Sequence, residues 1–343
     1  MAARFDDRAV TELLERAVHE GVFPGAVLLV ADAGQPIYVH ACGHAQLVPE
    51  AGRRPATRDT VYDLASLTKP LATTLLSMRL HEAGLLDLDA PAQRLLPELV
   101  HARPRVRDLL AHAAGFPTHR PYWEHPRART REDIYDLACR EPLEYEPGTR
   151  SVYSDVGFLV LGRLIERLAG ARLDVLVQAL LPDGPAYGPA ADAAATELGP
   201  DGTPLVGIVH DENARAMEGV APHAGLFGTA DDVHAALGAL LGDTLVTGRT
   251  RERFFALAGV PASTWGLGWD HPAQSGYSAA GSRLPRQAVG HLAFTGCSIW
   301  MDPVRPFWVV LLSNRIHPRR DNTRIRDFRP LLHDAVCAAA GYS

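Results

Sequence analysis

The stretch Ala65-Ser66-Leu67-Thr68-Lys69-Pro70 contains the one lysine of this 343-residue chain, in which the other 33 of 34 lysine and arginine residues are arginines. An arginine supplies charge and hydrogen bonds at most positions, but its guanidinium stays protonated near neutral pH and cannot act as a base. A lysine kept three residues after Ser66 therefore suggests proton transfer between the two side chains. Chance is the alternative, because a lone lysine would follow a serine at this spacing in roughly one of 30 chains of this composition.

Residues 67–83 predict a helix, since apolar side chains recur at helical spacing and Gly84 follows them. Positions i and i+3 share a helix face, so Lys69 would lie beside Ser66 at the N-terminus and help to activate its hydroxyl. The positive end of the helix would favour an oxyanion and help to lower the pKa of the lysine. An N-cap serine followed by a solvent-facing lysine is the alternative, and the commoner one for an isolated Ser-x-x-Lys.

Strand patterns lie near both ends of the chain. Short apolar runs, two of them separated by the turn Gly34-Gln35-Pro36, occupy residues 26–31, 37–42, 288–292, 298–301 and 307–312. Helical spacing precedes the first run, and a closing helix is predicted over 324–340. The pattern predicts an α/β protein of the α+β type, with an antiparallel sheet formed by the N- and C-terminal segments and flanked by helices.

The middle of the chain, from about residue 85 to 255, is predicted to be mainly helix and loop. Apolar residues recur at helical spacing in 106–113, 131–140, 157–169 and 230–241. Residues 182–204 are rich in proline and glycine and predict an irregular surface loop. We therefore predict a single domain, residues 1–343, in which a sheet lobe (1–64 and 262–343) carries an inserted helical lobe (65–261).

Composition indicates an ordinary globular protein, with 47% hydrophobic residues and a formal net charge of -6. The mild acidity argues against a nucleic-acid partner, which would select a basic face. No apolar run approaches the roughly 18 to 20 residues of a membrane span, so no membrane partner is expected. The first residues lack the apolar region of a secretory signal, and this predicts a cytoplasmic protein.

No metal or cofactor is predicted. Four cysteines lie far apart without a Cys-x-x-Cys pair, which favours reduced, partly buried thiols over a zinc site or disulfide framework. His210, Asp211 and Glu212 carry ligand atoms, but adjacent side chains diverge on a helix or a strand. Three tryptophans are candidates for a pocket that holds an acyl or aromatic group, although core packing is their commoner role: Trp265, Trp269 and Trp300.

Two further motifs accompany the serine and the lysine. Tyr153-Ser154-Asp155 precedes a predicted helix, and Gly290-His291-Leu292-Ala293-Phe294-Thr295-Gly296 contains a predicted strand. With these three elements in order, nearly the whole chain resembles the serine β-lactamase and penicillin-binding protein superfamily. It is most similar to the branch of class C β-lactamases and related esterases, D-amino-acid peptidases and acyltransferases. The elements look like that family's Ser-x-x-Lys, Tyr-x-Asn and Lys/His-Thr-Gly motifs.

The resemblance implies a β-lactamase/transpeptidase-like fold and a serine nucleophile. Ser66 would attack an ester or amide carbonyl, Lys69 and Tyr153 would share the proton transfers, and an acyl-enzyme would form. The backbone N–H groups of Ser66 and Phe294 would form the oxyanion hole. Because a phenol has a pKa of about 10, Tyr153 would need the Lys69 cation beside it to act as a base.

Departures from the family pattern bear on the substrate. His291 stands where β-lactamases usually carry lysine, Leu292 replaces threonine and Ala293 replaces glycine, so the carboxylate of a β-lactam would lose partners. We expect weak or no β-lactamase activity and a neutral small-molecule ester or amide as substrate. Asp155 replaces asparagine and would pair with Lys69, which would keep the lysine charged and leave Tyr153 as the base.

Four residues are expected to bind the substrate or support the site: Asp155, His291, Thr295 and Gly296. The leading hypothesis is a serine hydrolase of the esterase or amidase type. An acyltransferase using the same acyl-enzyme and a D-amino-acid peptidase are alternatives within the same chemistry. A scaffold or binding protein that has lost the chemistry is the alternative of another class. The natural acyl group and the oligomeric state stay open.

Overall fold

The computed structural model describes residues 5–342. Within them, nine strands are present: β1 Gly25–Asp32, β2 Gln35–Gln46, β3 Arg54–Pro55, β4 Tyr62–Asp63, β5 Ala186–Tyr187, β6 Leu226–Gly228, β7 Val289–Leu292, β8 Ser298–Asp302 and β9 Phe307–Ser313. The same residues contain eleven α-helices: α1 Arg8–His19, α2 Leu75–Glu82, α3 Ala92–Leu95, α4 Val106–Leu110, α5 Arg131–Arg140, α6 Asp155–Ala169, α7 Leu173–Leu180, α8 Glu212–Ala216, α9 Ala230–Leu241, α10 Gly248–Phe255 and α11 Ile325–Ala339.

Six strands form one antiparallel sheet in the order β3-β2-β1-β9-β8-β7. β1 pairs with its hairpin partner β2 on one side and with β9 on the other, in a register that sets Val27 opposite Leu312. The sheet therefore joins the two ends of the chain, which confirms the predicted fold class. β7 lies at the edge of the sheet, where its residues are available to a cleft.

Helices cover both faces of this sheet, which explains why β1, β8 and β9 are apolar without alternation. Leu28 and Val30 of β1 point into a core completed by α1 and α11. Val27 and Leu29 point to the opposite face, into the larger core that contains the helices of the middle of the chain. Both sides of a central strand are thus buried, as the continuous apolar runs require.

A second sheet of three very short strands, in the order β4-β6-β5, was not predicted; β5 and β6 lie in the predicted helical lobe, and β4 lies at the end of the first segment of the predicted sheet lobe. Strands of two or three residues are too short to show an alternating pattern, which explains the omission. The prediction of a surface loop over 182–204 is also wrong in part. The N–H groups of Ala194 and Ala195 donate to the carbonyls of Val61 and Ala45, at 2.7 and 2.8 Å, and both alanines are buried.

The predicted helix after Ser66 is present, but it is α-helical only in its second half. A 3-10 turn spans Ala65–Leu67, a wide π-type segment spans Lys69–Thr74, and regular α2 follows. The wide segment places Lys69 and every residue through Thr74 in the interior.

The four cysteines are free and all are buried, more completely than the sequence suggested. No helix within residues 5–342 is both long and apolar enough to cross a bilayer.

Candidate active site

Ser66 and Lys69 meet at the start of this helix. The Lys69 side chain is fully buried, and its Nζ lies 3.2 Å from Ser66 Oγ. The ammonium donates its other two hydrogen bonds to Asp155 Oδ1 at 2.7 Å and to the carbonyl of His223 at 3.3 Å. All three donors of the lysine are therefore used. The alternative of a solvent-facing lysine is wrong.

The N-terminus of α6 brings the second motif to this pair. Ser154 caps α6 by accepting a hydrogen bond from Gly157 N at 2.9 Å, and this cap fixes Asp155 in the first turn. Tyr153 immediately precedes the cap, and Lys69 Nζ lies 4.7 Å from the centre of its ring. The ring of His112 packs on Tyr153 with 4.6 Å between centres. The tyrosine is thereby held between the lysine and a buried imidazole.

The buried charges of Lys69 and Asp155 compensate each other. Burial alone would lower the pKa of Lys69, but the Asp155 carboxylate and the nearby Tyr153 phenol outweigh it and raise that pKa above its ordinary value. Burial would likewise raise the pKa of Asp155, yet the Lys69 charge holds it well below the usual range. The lysine is thus a cation at neutral pH, as the expected pairing with Asp155 implied. The pKa of Lys69 is raised overall, so any lowering by the helix N-terminus does not decide its direction.

The Tyr153 phenol is also protonated at rest. Burial raises its pKa above the ordinary value of about 10, although the Lys69 cation beside it acts in the opposite direction. Removing the phenolic proton is therefore costly at neutral pH. The lysine is the group that lowers this cost.

The opposite side of the cleft is formed by β7 and the turn that follows it. His291 is buried and lines the cleft, and burial together with the Lys69 charge lowers the pKa of its imidazole to about 3. The histidine is therefore neutral and supplies no cation at the position where β-lactamases usually carry lysine. Its Nδ1 lies 2.7 Å from the carbonyl oxygen of Leu292.

Thr295 and Gly296 do not line the cleft. The Thr295 hydroxyl is buried and donates to the carbonyl of Asp63 at 2.9 Å. Gly296 has a φ of +105°, and a Cβ there would lie 2.2 Å from Ser313 Oγ, so only glycine fits. Both residues shape the turn after β7, which is consistent with support rather than with contact to a substrate.

The two expected oxyanion-hole donors are free of partners within the protein. Among residues 5–342, neither the backbone N–H of Ser66 nor that of Phe294 donates a hydrogen bond to another protein atom. The neighbouring N–H of Ala65 is taken by Asp63 Oδ1 at 2.8 Å, and Ala65 adopts a φ of +43°. This strained conformation precedes the serine directly, and Ser66 and Phe294 border the same cleft.

The cleft has a volume of about 580 Å³. Of the three tryptophans considered from sequence, Trp265 lines it, whereas Trp269 and Trp300 are buried in the core. Residues not anticipated from sequence also line it, and they include His119, Trp123, Asp270 and Arg320. None of these four belongs to one of the three motifs, so no local pattern marked them.

His119 contacts the same carboxylate that pairs with Lys69. Its Nδ1 lies 3.6 Å from Asp155 Oδ2, and this carboxylate raises the pKa of the imidazole. Asp270 lines the cleft beside Trp265 and forms no ion pair with any of the described residues. Burial raises the pKa of its carboxyl to about 6. His119 and Asp270 are therefore cleft residues outside the three motifs whose pKa values are both raised.

The possible ligand residues His210, Asp211 and Glu212 all border the cleft but take separate partners. His210 pairs with Glu197 at 3.3 Å, Asp211 with His223 at 3.0 Å, and Glu212 with Arg320 at 2.7 Å. Within the described residues, no group of three histidine, cysteine or acidic side chains is arranged to hold a metal ion.

Known proteins are similar to this chain over most of its length. The chain is 31% identical to the N-acetylmuramyl-L-alanine amidase of Bacillus subtilis, over 90% of this chain and 81% of the relative. It is 30% identical to a putative D-alanyl-D-alanine carboxypeptidase of Escherichia coli K12, over 86% of this chain and 79% of the relative.

Solved structures show the same fold. EstCE1, described as a hydrolase with promiscuous acyltransferase activity, superimposes with a TM-score of 0.73 at 24% identity, covering 94% of this chain and 97% of its own. The family model named Beta-lactamase matches residues 8–332. The chain therefore belongs to the Beta-lactamase family and is a hydrolase of the β-lactamase and penicillin-binding protein superfamily.

Proposed function

We propose that the protein is a serine hydrolase that cleaves a small ester or amide through an acyl-enzyme on Ser66. One observation carries the proposal: Ser66 Oγ lies 3.2 Å from the buried Lys69 ammonium, in a cleft that two unpartnered backbone N–H groups also border. A nucleophile, groups for proton transfer and donors for an oxyanion are the minimum set for acyl transfer.

In the proposed first step, Ser66 Oγ bonds to the substrate carbonyl carbon while its proton passes to Tyr153. The carbonyl oxygen becomes an oxyanion that accepts hydrogen bonds from the N–H groups of Ser66 and Phe294. The bond to the leaving group then breaks, and the leaving group takes the proton. Water repeats the sequence on the acyl-enzyme, releasing the acid and restoring the serine hydroxyl.

Free energies are compatible with Tyr153 as the base. Ionising a phenol with the ordinary pKa of about 10 costs about 4 kcal/mol at pH 7, since one pKa unit is about 1.4 kcal/mol, and the raised pKa of Tyr153 adds to this cost. A turnover of about 1 per second corresponds to a total barrier of about 17 kcal/mol. The cost is therefore affordable, and Lys69 reduces it by remaining a cation throughout.

A β-lactam is a poor candidate for the substrate. Its carboxylate would meet the neutral His291 imidazole, whose one N–H, on Nδ1, is taken by the Leu292 carbonyl, and the apolar side chains of Leu292 and Ala293; none of them offers it a charge or a free hydrogen-bond donor. We expect kcat/KM for nitrocefin to be at least about 100-fold below that for the best ester or amide. Nitrocefin turnover equal to that of the best ester would contradict this substrate assignment.

The test of the proposal is covalent labelling of the serine. A fluorophosphonate probe should add one adduct to the wild-type chain, and peptide mass spectrometry should locate it on Ser66. Ser66→Ala should remain unlabelled and lose hydrolysis of nitrophenyl esters, whereas Ser275→Ala, at an exposed serine, should behave as wild type. Absence of labelling in the wild-type protein would support the alternative of a scaffold that has lost its chemistry.

Cleavage of D-amino-acid peptides is the second candidate. It is supported by the 30% identical relative, whose name is that of a D-alanyl-D-alanine carboxypeptidase. Comparison of D-alanyl-D-alanine with D-amino-acid amides and nitrophenyl esters, each against Ser66→Ala, would rank the candidates by kcat/KM. Release of D-alanine by the wild type alone would favour the peptidase.

A further inference from the structure

Two buried arginines lie behind the turn that carries the second oxyanion-hole donor. Arg315, which follows β9, has 8% of its surface exposed, and Arg329 of α11 has 6%. Neither guanidinium forms an ion pair with a carboxylate of the described residues. Burial lowers the pKa of Arg329 to about 10, which still leaves it a cation at neutral pH. Buried charges without an opposite charge are expensive, so their retention calls for an explanation.

Both guanidiniums donate to backbone carbonyls of this turn. Arg329 Nη2 donates to the carbonyls of Ala293 and Cys297, at 3.1 and 2.9 Å. Arg315 Nε donates to the carbonyl of Phe294 at 2.8 Å, and its guanidinium lies 4.7 Å from the centre of the Phe294 ring. The two positive charges therefore hold three carbonyls of a single short turn.

The carbonyl of Ala293 and the N–H of Phe294 belong to one peptide group. Because that group is planar and trans, its N–H points away from its carbonyl. The carbonyl accepts from Arg329 and also from Gly296 N at 3.1 Å, so it is fixed toward the protein interior. The Phe294 N–H must then point in the opposite direction, and Phe294 borders the cleft. Donors on the carbonyl also polarise the amide and strengthen its N–H as a donor.

We propose that Arg329, assisted by Arg315, is a positioning residue for the oxyanion hole, which aims and polarises the Phe294 N–H toward the oxyanion formed on acylation of Ser66. The uncompensated positive charge behind the turn also favours negative charge in front of it. This inference rests on the proposed acyl-enzyme function. It assigns the two arginines to stabilisation of the transition state rather than to binding of the ground-state substrate.

The test separates the acylation rate constant from substrate affinity. Stopped-flow measurement with a nitrophenyl ester gives both quantities for wild type, Arg329→Met, Arg329→Lys and Arg315→Met, with concentrations set by active-site titration. Arg329→Met should slow acylation about 10- to 100-fold, within the range for a weakened oxyanion-hole donor, and change the ground-state dissociation constant by less than about twofold. Arg329→Lys should recover part of the rate because it keeps a cation.

A boronic acid that forms an anionic tetrahedral adduct on the serine gives an independent measurement. Its affinity should fall in Arg329→Met by about the same factor as the acylation rate constant. Arg131→Met is the matched control, because Arg131 is similarly enclosed but pairs with Glu166 on α6. The control should lose thermal stability while acylation per titrated site stays within about twofold of wild type.

The outcomes are distinct. Acylation per titrated site equal to wild type in Arg329→Met and in Arg315→Met would overturn the inference and leave the arginines as a structural clamp. If Arg329→Met does not fold, the same comparison is made with Arg329→Lys and Arg315→Met, and unchanged acylation in both is again decisive against it. A wild-type protein that no ester acylates would overturn the proposed function, and the inference with it.

Discussion

The two sides of the cleft hold charge in opposite ways. The helical side, defined by Lys69, Asp155 and His119, contains charges compensated by neighbouring side chains. The strand side, defined by β7 and the turn held by Arg315 and Arg329, contains guanidiniums bonded to carbonyls and a neutral histidine. In the proposed mechanism, proton transfer therefore belongs to the helical side and stabilisation of the oxyanion to the strand side.

A physical reason underlies this division. A group that exchanges a proton needs a neighbour that stabilises its ionised form, and in the proposed mechanism the Lys69 cation does this for the Tyr153 phenol. Groups that stabilise an oxyanion act best when they are fixed beforehand and do not titrate, and backbone N–H groups oriented by arginines meet that need.

Lys69→Arg should give the largest effect, a loss of about 1,000-fold or more in kcat/KM for the best ester, in a protein that remains folded. Arginine keeps a positive charge, but its larger planar fork does not reproduce the three hydrogen bonds that the buried Lys69 Nζ donates from one nitrogen, so the charge would no longer be held beside Ser66 and Tyr153. Steady-state kinetics and circular dichroism check both statements. Activity within tenfold of wild type would mean that the lysine acts through its charge alone.

Tyr153→Phe should lower kcat by about 100- to 10,000-fold, the range for loss of a general base. Tyr145→Phe is the matched control, since the Tyr145 hydroxyl donates to the nearby His112 carbonyl at 3.0 Å and Tyr145 does not line the cleft. The control should retain activity within about threefold. Retained turnover in Tyr153→Phe would exclude the phenol as the base and leave Lys69 in that role.

Asp155→Asn should move the pH dependence of kcat/KM. In the wild type the base must lose a proton whose pKa is raised, so the rate should rise with pH from neutrality toward about pH 10. The Asp155 carboxylate raises the pKa of both Lys69 and Tyr153, and its removal should lower both. The rising limb should then shift to lower pH by about one unit or more.

Asp174→Asn provides the control for that shift, because Asp174 pairs with Arg172 outside the cleft. Its pH profile of kcat/KM should coincide with that of the wild type. A profile in Asp155→Asn that also coincides with the wild type would show that neither Lys69 nor Tyr153 controls the observed limb.

Thr295→Val should give the smallest effect on catalysis and tests the strand side. Its hydroxyl is buried and bonded to the Asp63 carbonyl, so the substitution should cost about 1 to 3 kcal/mol of unfolding free energy. kcat/KM should stay within about threefold, as measured beside chemical denaturation. A large rise in KM without loss of stability would instead indicate contact between the threonine and the substrate.

The main strands of the sheet and the proximity of Lys69 to Ser66 were predicted correctly, because both depend on short-range patterns in the sequence. Continuous apolar runs identified β1 and β9, and residue spacing placed Lys69 beside Ser66 on the helix that follows. The short strands β4, β5 and β6 and the buried part of residues 182–204 were missed. Their positions depend on contacts with distant segments, such as the bond from Ala195 N to the Ala45 carbonyl.

The site was predicted less completely. Asp155 was expected to pair with Lys69, and the structure places the two 2.7 Å apart. His119 was not identified because it belongs to none of the three motifs. The arginines behind the turn were not identified because 33 arginines in one chain offer no local sign of which ones are buried. The direction of the lysine pKa also depended on a balance between burial and a carboxylate 86 residues away.

Sequence patterns were enough to predict the sheet that joins the two ends of the chain, and the resemblance of three motifs to a known family indicated the residues that could perform acyl transfer. Periodicity and motif spacing are local properties, and a linear chain records them directly. The neutral state of His291 and the enclosure of Arg315 and Arg329 could be known only from the packed structure. Desolvation and charge proximity act through space, so they exist only after distant segments have packed together.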